Sequence, residues 1–424
     1  MKKFFSASVL ILLYSFAAPF PAFAQELLSL DDLIDEALEK SPYVQVFKMN
    51  KDALWERPSQ VKFWDDPKVT LGVTNLPTDD FDFNKQDMTQ KTVSVMQNIP
   101  FPGISRLKEK AAVEEAKGAE KELANVEIRT VNAVKTTYYD LYFVHNAIKI
   151  TDENIDLMKK FVELTQSKYE VGNGLQEDIL KAQVELYKLQ EKMINLQQKE
   201  ASIKADMLRL LNRKNGGQLQ GVPKIEKTVN TLSFEDLKIT VLEENPLLQQ
   251  LDHTVAQKET EYLLAKKSYF PKFSITAAYG QRDDWKSADR DRPDFMSLLV
   301  GVDVPIWFKS KQNKKVAETQ IRIMQAKAQL QSMQNDISFK LNDILTKIKK
   351  EKALVVLYKE QIIPEASQSL DSNMSAYQVG RLDFLNLLNS QMTLLNYEIK
   401  FHKVMSDLEK NFADLEVVVG KRIF

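Results

Sequence analysis

The sequence has no cysteine. That excludes disulfides, thiol chemistry, cysteine-based zinc sites and an acylated N-terminal cysteine. Histidine is scarce as well: His145, His253 and His402 stand far apart with no neighbouring ligand pattern. No G-x-S-x-G and no phosphate-cradling glycine loop occurs. The thirteen methionines are scattered at helical spacing, as core filling requires. Excess charge is lacking too, because 58 Lys and Arg nearly cancel 59 Asp and Glu; no nucleic-acid or other polyelectrolyte partner is implied. These absences leave no catalytic residue, metal site or cofactor site to assign, and no enzyme is expected. Long apolar runs are missing after residue 24, where none approaches the roughly 18 residues of a spanning helix. Any membrane crossing by the rest of the chain must therefore use strands.

What is present begins with Lys2 and Lys3, an apolar run around Val9 to Leu13, and Ala22-Phe23-Ala24. A basic start, an apolar centre and an A-x-A site predict a cleaved leader over residues 1–24 and an exported chain from Gln25.

Proline is absent from Gly103 to Val222. Within that stretch Val134, Leu141, Ile148, Ile155, Val162 and Tyr169 fall on one seven-residue ladder. After Val171-Gly172-Asn173-Gly174, a second set follows through Ala182, Leu189, Leu196, Ile203 and Leu210. A period of seven makes a seam for another helix. The first arm, about 65 residues, would extend roughly 95 Å at 1.5 Å per residue. An extended helical hairpin with glycines at its bend is predicted.

The chain also repeats itself. Ser41-Pro42 matches Asn245-Pro246, Pro67-Lys68 matches Pro271-Lys272, Ile99-Pro100 matches Val304-Pro305, and Tyr169-Glu170-Val171-Gly172 matches Tyr377-Gln378-Val379-Gly380. The offset stays near 204–208 residues, which means two copies of one unit. Each unit reads as a capped helix, two strands, a long helix, a glycine bend and a second long helix. The expected division is residues 25–213, a linker at 214–232, and residues 233–424.

Four alternating stretches carry the strands. Val69, Leu71 and Val73 share a face; so do Val93, Val95 and Ile99; Phe273, Ile275, Ala277 and Tyr279; and Met296, Leu298, Val300 and Val302. About 9–11 residues with one apolar face suits a tilted outer-membrane barrel strand. A soluble antiparallel sheet with one face on a core is the other reading. Aromatic placement favours the membrane: Phe63, Trp64, Phe101, Tyr269, Phe270, Trp307 and Phe308 sit at the helix-side ends of all four strands, as an interfacial girdle would. Four strands cannot close a barrel, and open edges in lipid leave backbone groups unsatisfied. The chain must then oligomerise, with eight strands from two copies or twelve from three; periodicity does not choose.

Both bends, in register with four strands, resemble the TolC family of outer-membrane efflux channels. The motif reads Tyr169-Glu170-Val171-Gly172-Asn173-Gly174-Leu175 and Tyr377-Gln378-Val379-Gly380-Arg381-Leu382-Asp383. Ile99-Pro100-Phe101-Pro102-Gly103 adds to the likeness, which covers essentially the mature chain. The resemblance implies a homotrimer with a twelve-stranded barrel in a Gram-negative outer membrane and a helical coiled-coil tunnel in the periplasm. It also implies a periplasmic adaptor docked at the bends and an inner-membrane pump, RND-type rather than ABC-type, serving efflux or type I secretion. A soluble periplasmic coiled-coil scaffold or adaptor is the rival.

Carried onto this chain, the docking tips would be Val171, Gly172, Asn173, Gly174 and Leu175 with Val379, Gly380, Arg381 and Leu382; exposed Leu175 and Leu382 would be the apolar anchors. The family's aperture residues map to Asp178 and Asn386, with Asp383 and Asn389 beside them. Asp178 in a trimer would form a ring of three carboxylates. The first bend, carrying Asn173-Gly174, departs from the usual short form. Basic clusters at Arg106, Lys108 and Lys110 and at Lys309, Lys311, Lys314 and Lys315 oppose a helix dipole; lipid phosphate is one candidate partner and a solvated collar the other reading.

Overall fold

The computed structural model describes residues 28–214, 219, 221, 223–225, 234–285 and 291–423. The expected leader and most of the expected linker at 214–232 lie outside the described residues.

The first helix, α1 (Leu30–Lys40), starts where the Ser29 hydroxyl accepts from the Asp32 amide at 3.3 Å. A second, α2 (Pro42–Lys62), follows at once. The same pairing recurs as α5 (Phe234–Glu244) and α6 (Pro246–Lys267), the latter capped by Asn245 through the amides of Leu247 and Leu248. The sequence suggested one helix before each strand pair; there are two. Pro42 and Pro246 account for the division, because proline cannot donate to the preceding turn but suits the first position of a new helix.

Four strands form one antiparallel sheet in the order β1 (Lys68–Thr74), β2 (Gln90–Ile99), β3 (Lys272–Gln281), β4 (Phe295–Asp303). β1 has only 7 residues rather than the expected 9–11. Asn75, at φ 56°, turns the chain away, and its side-chain amide donates to the Met88 carbonyl. Register places Val69 opposite Val95, Val95 opposite Ala277, and Ala277 opposite Leu298. Since side chains alternate between faces, the apolar sets of all four strands coincide on one face. The other face carries Thr70, Ser94, Thr276 and Ser297. Val69, Leu71, Leu298 and Val300 are left exposed, so none of the described residues covers the apolar face. β1 and β4 are the edges, each with one unpaired side.

After β2, α3 (Ile104–Glu170) runs 67 residues, roughly 100 Å at 1.5 Å per residue. It turns back into α4 (Gln176–Leu210). After β4 the counterpart is α7 (Gln312–Leu357), a π-helical turn (Tyr358–Ile362) and α8 (Ile363–Gln378), of 46, 5 and 16 residues, together again 67. The widened turn precedes Pro364, which has no N–H and whose ring would press on the Glu360 carbonyl. The return helix is α9 (Phe384–Val419). Among the described residues, no helix is long and apolar enough to cross a membrane.

α3 is the spine: it packs on α1, α2, α4, α6 and α9, and α7 in turn packs on α6 and α9. Its buried seam keeps the period of seven: Val134, Leu141 and Ile155 of the expected ladder are buried, but from Ala147 onward the seam is shared with the residue before each ladder position. Ala147, Asn154 and Phe161, alternating with Thr151, Met158 and Thr165, are the buried set, while Ile148 and Val162 are half-buried and Tyr169 is exposed. Small and polar residues occupy the narrow seam because their groups bond locally. Thr151 and Thr165 hydroxyls donate to the carbonyls one turn back, and Asn154 accepts from Gln391 of α9. Higher up, the Lys135 ammonium of α3 meets the Glu416 carboxylate of α9 at 2.6 Å, with side chains 7% and 2% exposed. That pair ties α3 to α9 in the interior.

Candidate functional site at the helical tips

The two hairpin bends are built alike. At the first, the Asn173 amide donates to the Lys168 carbonyl at 2.8 Å and Gly172 N–H to Tyr169 at 2.9 Å. At the second, Arg381 donates to Ala376 at 2.9 Å and Gly380 to Tyr377 at 3.1 Å. This double bond satisfies the last helical carbonyls only if the residue after the cap is left-handed. Gly172 and Gly380 both have φ 76°. Each bend has five residues between its helices, 171–175 and 379–383, so Asn173-Gly174 does not lengthen the first. Gly174 serves packing instead: a Cβ there would lie 3.0 Å from that of Lys168.

Val171, Leu175 and Val379 are exposed apolar groups on this polar end. Leu382, expected as the second anchor, is half-buried against the lower core; Leu385, the second residue of α9, is exposed there. The cause lies in the start of α9. Asp383 caps the helix by accepting from the Asn386 amide at 2.9 Å and holds the Asn386 side chain at 3.1 Å, which turns Leu382 inward.

The bends lie side by side. The Lys168 ammonium donates to the Tyr377 carbonyl and sits 4.4 Å from the centre of that ring. Tyr377 also packs on Phe384, which meets Phe161 edge-on. Lys168 was not singled out from the sequence. Its only signal was a cation one residue before the Tyr-x-Val-Gly motif, where helical geometry alone does not aim it. Tyr377 was legible as a motif residue, not as the ring that joins the hairpins.

The structure brings Asp178 and Asp383 within electrostatic reach of each other. Burial is the main cause that raises the Asp178 carboxyl above the ordinary aspartate range; Glu177 and Asp383 add to it, while the Leu175 backbone and Lys181 oppose. Tyr377 is pushed up to about 12, first by burial and then by the Asp178 charge. Its hydroxyl is buried without a hydrogen-bond partner among the described residues. Asn386 and Asn389 are exposed on α9.

At the other end, Phe63, Trp64, Tyr269, Phe270, Trp307 and Phe308 are exposed at the helix side of the sheet. Phe101 is half-buried and stacks on Phe270 with centroids 4.2 Å apart. The three histidines contact different partners, namely Glu200, Glu114 and Tyr142. Among the described residues no three metal-ligating side chains converge.

Comparison with known proteins agrees with this anatomy. Residues 33–213 match the family model described as outer membrane efflux protein. The chain is 20% identical over 322 residues to outer membrane efflux protein BepC of Brucella suis, covering 76% of this chain and 70% of that one. It is 20% identical over 310 residues to the pyoverdine export outer membrane protein OpmQ of Pseudomonas aeruginosa, covering 71% of this chain and 63% of the relative. Among solved structures, the outer membrane protein VceC of Vibrio cholerae superimposes with a TM-score of 0.77 at 16% identity, over 92% of this chain and 96% of that one. The family match over residues 33–213, the relatives and the shared fold together make this chain similar to the outer membrane efflux proteins, and like the solved outer-membrane channels in fold.

Proposed function

We propose that three copies of this chain assemble into one export duct, with a twelve-stranded barrel continued by a tunnel of long helices. The observation that carries the reading is the sheet: one apolar face in register across four strands, with β1 and β4 left as open edges. Lipid can cover the face, but only a neighbouring copy can satisfy the edge N–H and C=O groups. Three copies rather than two leave a bore, since about eight strands are filled by their own side chains.

In this reading residues 25–213 and 233–424 are two structural repeats joined by 214–232, with 1–24 removed on export. Val171, Leu175, Val379 and the glycine turns form the surface for a periplasmic adaptor, with Leu382 bracing it from beneath. Asp178, with Asp383, Asn386 and Asn389 nearby, lines the periplasmic aperture. The seven aromatic residues from Phe63 to Phe308 mark the membrane interface. The duct is passive; an inner-membrane pump, of RND type, supplies the energy and chooses the substrate, with metal ions or small toxic molecules as the class favoured. Cross-linking cysteines introduced on β1 and β4, such as Val69→Cys with Val302→Cys, should give a three-chain ladder in outer-membrane fractions. Material that stays monomeric, or that carbonate washes from the membrane, would refute the duct and favour a soluble scaffold.

A further inference from the structure

Resting on that membrane reading, we infer that each copy carries a binding site for a phospholipid whose headgroup holds both a phosphate and a primary ammonium. The site is a cavity of about 280 Å³ where α2, the ends of β2, β3 and β4, and the start of α3 meet. Trp64, Phe63 and Phe273 form an apolar wall at the depth of the aromatic girdle, where amphipathic rings sit among headgroups. Lys108 and Lys272 supply two cations to the same cavity, and Asp65 and Asp303 supply two anions.

Two other cations near the girdle already have partners. Lys62 is held by Glu109 at 3.0 Å and Lys315 by Glu318 at 3.1 Å. Lys108, Lys272, Asp65 and Asp303 make no ion pair within the described residues, although Lys272 and Asp303 are register partners on adjacent strands. The cavity is also pre-shaped. Gln97, on the apolar face of β2, donates to the Asp65 and Asn98 carbonyls at 2.8 and 2.9 Å and pins the segment carrying Trp64 against the strand. Two lysines suit a phosphate, and two carboxylates suit an ammonium that donates hydrogen bonds. A purely anionic headgroup would leave the carboxylates repelled; a quaternary ammonium could not donate to them.

The test uses the purified assembled protein, inserted into vesicles of defined lipid, extracted, and examined by native mass spectrometry for retained lipid. Phosphatidylethanolamine should be retained over phosphatidylglycerol and phosphatidylcholine. Lys108→Gln with Lys272→Gln should weaken retention about tenfold, as the loss of hydrogen bonds to charged groups predicts. Lys315→Gln, outside the cavity, should leave it unchanged. Equal retention of the three lipids by the unaltered protein overturns the inference without any variant having to fold. So does equal retention by the double variant when it still assembles. An unaltered protein that never inserts into vesicles overturns the membrane reading and this site with it, whereas insertion without headgroup preference overturns the site alone.

Discussion

Single residues decide two matters in this chain. The Lys135–Glu416 pair is nearly fully buried, where removing one partner leaves an uncompensated charge. Lys135→Met should destabilise the fold by about 3–5 kcal/mol, while Lys135→Met combined with Glu416→Met should recover most of that loss. Thermal unfolding of the detergent-solubilised protein by circular dichroism checks both; equal midpoints for all three would show that the pair is inert. At the tip, Asp178 has its proton affinity raised mainly by burial. A carboxyl whose folded pKa exceeds its unfolded value holds the proton more tightly when folded. Its ionisation therefore opposes the packing around it, and stability there grows as pH falls through the folded pKa. The groups acting on it, Lys181, Glu177 and Asp383, are all near the same helix starts. Single-channel conductance should fall on the acid side, above the ordinary aspartate range, and Asp178→Asn should abolish that response along with any block by divalent cations. A variant with the unaltered pH profile would remove Asp178 from the aperture.

At the scale of elements, the bends matter because they are paired copies of one turn. Gly172 and Gly380 adopt φ 76°, and a Cβ at either would meet nothing within 4 Å. Valine there costs only the left-handed backbone, about 1–2 kcal/mol each. The double variant Gly172→Val with Gly380→Val should therefore assemble normally yet lose export, because the exposed tip surface changes while the core does not. Substrate accumulation in cells and trimer bands on native gels report the two halves of that outcome. Intact export would mean that the turns serve only to end helices. The long helices were largely legible beforehand. An unbroken proline-free stretch and a period of seven could only become a long helix with a seam. That Ala147 rather than Ile148 would be the more deeply buried was not legible, because both are apolar and only the neighbouring helices choose between them. The π-helical turn has a visible cause in Pro364, but proline equally permits a kink or a break.

For the whole molecule, the sheet predicts a sharp contrast between adjacent residues. Leu298 lies on the apolar face and is 72% exposed, whereas Ser297 points the other way. Leu298→Arg places a charge against lipid and should cost about 2–4 kcal/mol at mid-membrane, emptying the outer-membrane fraction of assembled protein. Ser297→Arg should assemble and change only conductance. Equal tolerance of both would contradict a lipid-facing sheet.

The amino-acid order by itself determined the kinds of element, their sequence along the chain, the glycine turns and the two-faced strands. Periodicity, proline placement and capping act within a few residues and need no partner. It did not determine which residues of a seam meet, that Asp383 would cap α9 and turn Leu382 inward, or that Lys168 would reach Tyr377 209 positions away. Nor did it bring Lys108 and Lys272 to one cavity. Those juxtapositions depend on how rigid rods and a sheet pack against one another, and packing is settled by volume and hydrogen-bond satisfaction across elements that are distant in the chain.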